Sequence, residues 1–268
     1  MKIGIFYIAT SVYKEYFKKY FFNTLTNLFP NDMKEIIIVT DGGLEDYKQK
    51  EPKNCRLHFE DIIDFPYPII NLCKFQIVKK YADKYDIDMI LYFDADSLIF
   101  EKPYDFWESL KTKVSENKTR MILSYHPHYL YNPNFLFGRD YFFPVREGSC
   151  SNISPNIIME KKCYMMTSFF MCHKIALTDY TQKIYEMAKL NLRNLRWMPE
   201  LSDETYLNVI NLREGQSVLL DNYITINPYI YGHYPEKANG DIWKNNFPDK
   251  PSIFINQKFD IELKDKKR

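Results

Sequence analysis

Glycine-rich phosphate loops are absent from this sequence. Neither G-x-x-x-x-G-K-[ST] nor G-x-G-x-x-G occurs in it, which excludes the backbone cradles that P-loop enzymes and dinucleotide-binding domains build around phosphate. Charge of one sign is lacking too. The formal net charge is +1, whereas a nucleic-acid surface needs a clear basic excess. No apolar run approaches the roughly 20 residues of a membrane span. The opening "MKIGIFYIATS" has too short an apolar region for a secretory signal and no small-residue cleavage site, so it is read as a first strand. The five cysteines, Cys55, Cys73, Cys150, Cys163 and Cys172, are odd in number and form no C-x-x-C. That pattern points to neither a disulfide framework nor a zinc site, and reduced thiols in a cytoplasmic chain account for it. The terminal "KDKKR" is read as a solvated end making at most peripheral contact with anionic lipid.

What is present is a large apolar fraction, 46% of 268 residues, enough for the core of one α/β domain. "KIGIFYIAT" reads as a buried strand. In "VYKEYFKKYFFNTLTNLF" the residues Tyr13, Phe17, Tyr20, Phe21, Leu25 and Leu28 recur at helical spacing, and Pro30 ends the run. "EIIIVTDGG" is a second strand closed by a turn signal, "CRLHFED" a shorter third, "NLCKFQIVKKYADKY" a helix and "IDMILYF" a strand buried on both faces. This alternation predicts a mostly parallel central sheet flanked by helices. Further on, "MILSYH" is a strand and "CYMMTSFFMCH" a strand pair or a strand and turn. "KIALTDYTQKIYEMAKLNLRNL" and "SDETYLNVINLRE" are helices, the second with Ser202 as its cap. The Pro-, Asn-, Gly- and aromatic-rich stretch "PHYLYNPNFLFGRDYFFPVREGSCSNISPN" is too long for an ordinary loop and reads as a lid or binding segment. No linker divides the chain, so residues 1–268 are expected to form a single domain.

Asp94 and Asp96 in "LYFDADSLIF" are the most informative pair. Two carboxylates at the carboxyl end of a buried strand repel unless a cation lies between them. In extended backbone, residues i and i+2 point to one side, so both can converge on one ion. Open α/β sheets bind ligands at this rim. Hard oxygens suit Mn²⁺ or Mg²⁺, above all when a diphosphate supplies further oxygens.

Beyond these features the sequence resembles glycosyltransferase family 6, the retaining α-1,3-galactosyl and N-acetylgalactosaminyl transferases that include the blood-group A and B enzymes. The resemblance rests on "KIGIFYIATSVYKEYF", "VTDG", "FDAD", "YHP", "CYMMTSFFMC" and "SDETYLN", in the family's order over roughly residues 2–235. It implies a nucleotide-sugar-binding fold of GT-A type, with residues 1–100 as the nucleotide-binding half and 101–268 as the acceptor and donor-sugar half. It further implies that Ile8, Ala9, Thr10 and Tyr13 surround uracil and ribose, that Asp94 and Asp96 hold Mn²⁺ (or Mg²⁺) and the diphosphate, and that Lys74 stands for a family arginine near them. Thr167 and Ser168 would shape the donor-sugar site, and His126 and Trp197 would meet the acceptor. Glu204 falls on the catalytic glutamate and Asp203 on the donor-sugar aspartate. The family's glycines at the donor site are Thr167, Ser168, Met171 and Cys172 here, and the histidine before Asp203 is Ser202.

The expected activity is transfer of galactose or N-acetylgalactosamine from a UDP-sugar to a galactoside in an oligosaccharide or glycolipid, by a cytoplasmic enzyme at most peripheral to a membrane. Glu204 would act either as nucleophile in a double displacement or as stabiliser of a same-face attack. Serine at position 168, larger than the family's glycine or alanine, favours galactose. An alternative is a family 8-like retaining hexosyltransferase, in which "YGHYPEKANG" with His233 would supply the late metal histidine. A non-catalytic sugar-binding module would have no need of a metal–diphosphate site.

Overall fold

The computed structural model describes residues 1–63, 65, 69–95, 97–99, 102, 104–125, 148–153, 165–199, 202–215, 218–219 and 254–256. Within them, strands β1 (Ile3–Ala9), β2 (Lys34–Thr40), β3 (Cys55–Asp61), β4 (Met89–Phe93), β6 (Ile122–Tyr125), β7 (Met165–His173) and β8 (Val218–Leu219) form one sheet, ordered β3-β2-β1-β4-β7-β6-β8. Strand β7 runs antiparallel to both its neighbours, β4 and β6, while the other pairs are parallel. A second small sheet pairs β5 (Ser97–Ile99) with β9 (Phe254–Asn256). The architecture is α/β, a mixed and mostly parallel sheet flanked by helices.

Strands covered on both faces need apolar residues at every position, and "IGIFYIA" and "MILYF" are buried throughout. Alternate residues then feed two separate cores. Tyr7, Ile36, Ile38, Leu91 and Phe93 face a layer made by the helical stretch 13–24 (α1) and by α3 (Tyr104–Glu116), through Phe17, Phe21 and Trp107. Phe6, Ile37, Val39, Ile90 and Tyr92 face α2 (Ile69–Lys84), α4 (Lys174–Leu195) and α5 (Ser202–Glu214), through Phe75, Val78, Tyr180 and Leu207. Gly4 is required by the second core, because a Cβ there would meet Ile87 Cγ2 at 2.6 Å.

Helix α1 is not a uniform α-helix. A π-turn occupies Phe17–Phe21, and the Tyr7 ring stacks on Phe21 with centroids 3.9 Å apart. Of the six residues expected on one face, Phe17, Tyr20, Phe21, Leu25 and Leu28 are buried, whereas Tyr13 is 42% exposed at the helix start. "CYMMTSFFMCH" yields one continuous strand from Met165, and α3 and β5 are additional to the elements read from the sequence. No helix among the described residues is long and apolar enough to cross a membrane.

Candidate active site

Helix α2 buries Lys74, Phe75, Ile77, Val78, Tyr81 and Ala82. Lys74 therefore sits inside an apolar stripe, where an ammonium persists only if it is paired. Its Nζ lies 2.7 Å from Asp203 Oδ2 and 3.3 Å from Asp94 Oδ1, and donates to the Thr167 carbonyl at 3.2 Å. All three of its protons thus have acceptors. The Nζ also lies over the Tyr92 ring, 5.0 Å from its centroid. Burial by itself depresses this ammonium, but the carboxylates of Asp203 and Asp94 outweigh it and hold the group above the usual lysine value.

Asp203 and Glu204 lie in the first turn of α5 and are both buried. An exposed helix-start carboxylate serving the helix dipole alone would be solvated; these two instead reach β7. Thr167 Oγ1 donates to Asp203 Oδ2 at 2.7 Å, and the Thr167 N–H donates to Glu204 Oε2 at 3.2 Å. A break in the sheet register frees these groups. Strand β6 pairs Leu123 with Phe170 and then Ser124 with Met166, so Thr167, Ser168 and Phe169 bulge out of the β6 ladder. The backbone donor and acceptor of Thr167 are taken over by Glu204 and Lys74. One turn along α5, the Asn208 amide accepts from Met165 N at 2.6 Å and donates to Met165 O at 2.7 Å, locking the helix to the strand. Ser168 contributes its carbonyl to the Asp94 N–H at 2.8 Å. Its buried hydroxyl has no hydrogen-bond partner among the described residues.

Strand β4 ends at Phe93, and Asp94 opens a turn that the Ser97 N–H closes on the Asp94 carbonyl at 3.1 Å. Any convergence of Asp94 with Asp96 would therefore be set by this turn, not by the pleat of an extended strand. Asp96 itself lies outside the described residues. Asp94 Oδ1 accepts from Tyr92 OH at 2.9 Å; its side chain is 27% exposed and Oδ2 has no hydrogen bond among the described residues. The turn is held from below, where the Tyr7 hydroxyl donates to the Ala95 carbonyl. From α1, Thr24 Oγ1 accepts from Ile99 N at 3.1 Å, and just beyond the helix Asn27 donates to Ile99 O at 2.8 Å.

The end of β1 lies on the same rim, with Tyr7 paired to Phe93 and Ala9 to Thr40. Ile8, Ala9 and Thr10 are buried there, and Tyr13 stands exposed beside them. Ser11 takes a left-handed φ of 51°. Its N–H is held by both Asp41 oxygens, at 3.2 and 3.1 Å, and Asp41 pairs with Lys14 at 2.9 Å. Burial tends to raise the Asp41 carboxyl, but Lys14 and the Ser11 amide offset this and bring it below the usual range. Asp41 was readable only as part of the turn signal "VTDG"; its role depends on a loop thirty residues earlier.

The structure thus brings together Lys74, Asp94, Thr167, Ser168, Asp203 and Glu204, with Ile8, Ala9, Thr10 and Tyr13 along the same rim. Trp197 is half-buried in the connection between α4 and α5. His126 and His233 lie outside the described residues. Among the described residues no group of three or more His, Cys, Asp or Glu side chains is placed to hold a metal ion. A comparison with protein-family models gives no match, and a search of curated proteins finds no match either.

Proposed function

We propose that the chain is a retaining glycosyltransferase of GT-A type that uses a UDP-sugar and passes galactose or N-acetylgalactosamine to a galactoside-containing acceptor. One observation carries the reading. Lys74, Asp94, Thr167 and the Asp203–Glu204 pair, far apart in sequence and assigned by resemblance to donor binding, metal binding or catalysis, meet in one largely buried network at the carboxyl rim of the sheet. A network needed only for packing gains little over an apolar replacement, and this one lies where α/β sheets bind ligands.

On this reading Lys74 fixes the positions of Asp94 and Asp203 and offers positive charge to the diphosphate side of the site. Asp203, oriented by Lys74 and Thr167, binds hydroxyls of the donor sugar. Glu204, whose Oε2 is anchored by the Thr167 N–H, presents negative charge to the anomeric carbon. It acts either as nucleophile or as stabiliser of a cationic sugar. The Asp94 oxygen left without a hydrogen bond among the described residues, together with Asp96, suits a hard cation. Mn²⁺ or Mg²⁺ bound there would neutralise charge on the departing diphosphate.

The test is release of UDP from UDP-galactose, UDP-N-acetylgalactosamine and UDP-glucose in the presence of a galactoside, with Mn²⁺ and with excess chelator. Galactoside-dependent turnover with either of the first two donors, abolished by chelator, is expected. Turnover with UDP-glucose alone would point to the family 8-like hexosyltransferase. No turnover and no thermal stabilisation by any UDP-sugar would leave the network as a structural one.

A further inference from the structure

Helix α4 ends in "KLNLRNLR", residues 189–196, where leucines and cations alternate. At 100° per residue, Tyr185, Lys189, Leu192, Arg193 and Arg196 fall within an arc of about 100° that borders the buried stripe of Ile184, Ala188 and Asn191 on its solvent side. Tyr185 is 49% exposed and Leu192 47%, and Leu190, about 60° beyond Arg193 on the other flank, is 45% exposed. The three cations make no ion pair with a carboxylate among the described residues, although Lys189 Nζ lies 5.9 Å from the Tyr185 ring centroid. Earlier on the helix the pattern is different, since Lys183 is tied to Asp179 at 2.8 Å and to Glu214 at 2.6 Å. The acid nearest this face, Glu186, accepts from Gln182 at 2.9 Å. The face is also well fixed. Arg196 adopts a left-handed cap, φ 48°, and its N–H closes the helix on Leu192 O at 3.1 Å.

We propose that this face docks on an anionic lipid surface. A solvated helix face does not gain from exposing leucine and tyrosine between its cations. An interfacial helix does, because the apolar side chains enter the headgroup boundary while Lys and Arg meet the phosphates. Nucleic acid is the weaker match, because the chain carries a net charge of only +1. The inference stands apart from the reaction proposed above. It gives that reaction a setting, since α4 is followed directly by the α5 helix that carries Asp203 and Glu204.

Flotation with phosphatidylcholine vesicles, and with vesicles containing about one part in three of phosphatidylglycerol, tests it. The full chain is expected to float with the anionic vesicles and not with the neutral ones. The double variant Lys189→Gln/Arg193→Gln should partition about 25-fold less, at roughly fivefold for each cation lost near such a surface. Leu192→Ser, which leaves charge unchanged, should lower partitioning several-fold. All three positions are exposed, so the fold is retained, which circular dichroism verifies. Absence of binding to anionic vesicles, or equal binding to neutral ones, overturns the proposal. So does a double variant that floats like the parent, which would transfer the binding to another surface such as the terminal "KDKKR". Retention on heparin that falls in the double variant and is indifferent to Leu192→Ser, without vesicle binding, would make the face a polyanion site and overturn it as well.

Discussion

Replacing Lys74 by methionine keeps most of the aliphatic stem in α2 and deletes the ammonium. Among the described residues Asp203 then retains only the Thr167 hydroxyl at 2.7 Å, in a place almost closed to water. Leaving one partner of a buried ion pair uncompensated costs about 3–5 kcal/mol. Asp94 adds less, because its side chain is 27% exposed and water can replace part of what it loses. Asp203→Asn should cost less than Lys74→Met, since Lys74 keeps Asp94 and the Thr167 carbonyl. The double variant should be more stable than the two losses added together, with a coupling of about 2 kcal/mol. Urea unfolding of the four proteins, compared at equal m-values, gives these numbers. The pH dependence is a second check. The folded Lys74 is held above the usual lysine value, so its contribution is complete below the unfolded value and lost only as pH rises through the folded one. The gap between parent and Lys74→Met should accordingly stay level from about pH 6 to about pH 9. A loss below about 1 kcal/mol, the size found for exposed pairs, would refute the reasoning, as would a gap that closes near neutrality.

On the proposed reaction, Glu204→Gln should lower kcat on the order of a hundredfold while leaving UDP affinity nearly unchanged, because the charge acts as the bond to UDP breaks; near-normal turnover would reduce Glu204 to a helix-start residue. At acid pH, Glu51 is held low by the Leu57 amide and Lys48, Asp88 by the Lys2 amide and Lys174, and Asp41 and Glu60 by their lysines in spite of burial. Their stabilisation is complete above the ordinary carboxyl range and lost as pH falls through the depressed values, so the melting temperature should be flat from about pH 5 to about pH 8 and fall below about pH 4; a level profile down to about pH 3 would contradict this.

The sequence made β1, β2 and β4 readable because each of them is buried on both faces. "IGIFYIA", "EIIIV" and "MILYF" admit few alternatives to a central strand. The direction of β7 was not readable, since an apolar run such as "MMTSFFMC" looks the same whichever way it is threaded. The bulge at Thr167 was hidden for a related reason: it is a register relation with β6, more than forty residues earlier. Lys74 carried a local signal, a cation at a position that helical spacing assigns to the apolar stripe with Val78 and Tyr81. Helix α3 had one too, in Trp107, Leu110 and Val114 at helical intervals. The clasp of Asp41 on Ser11 had none, because it depends on where two loops meet at the rim.

The antiparallel course of β7 has a bearing on how this chain can vary. Because β7 begins where β6 ends, Tyr125 and Met165 stand side by side as ladder partners. The whole of 126–164 leaves and rejoins the sheet at neighbouring positions on the rim that carries Lys74 and Asp203. Partway along, Cys150 N is moored to Asn191 Oδ1 of α4 at 3.0 Å. Length and sequence between these two attachment points can change while the strand ladder and the ion network keep their places, so on the proposed reaction a new acceptor preference can be acquired there without redesigning the chemistry.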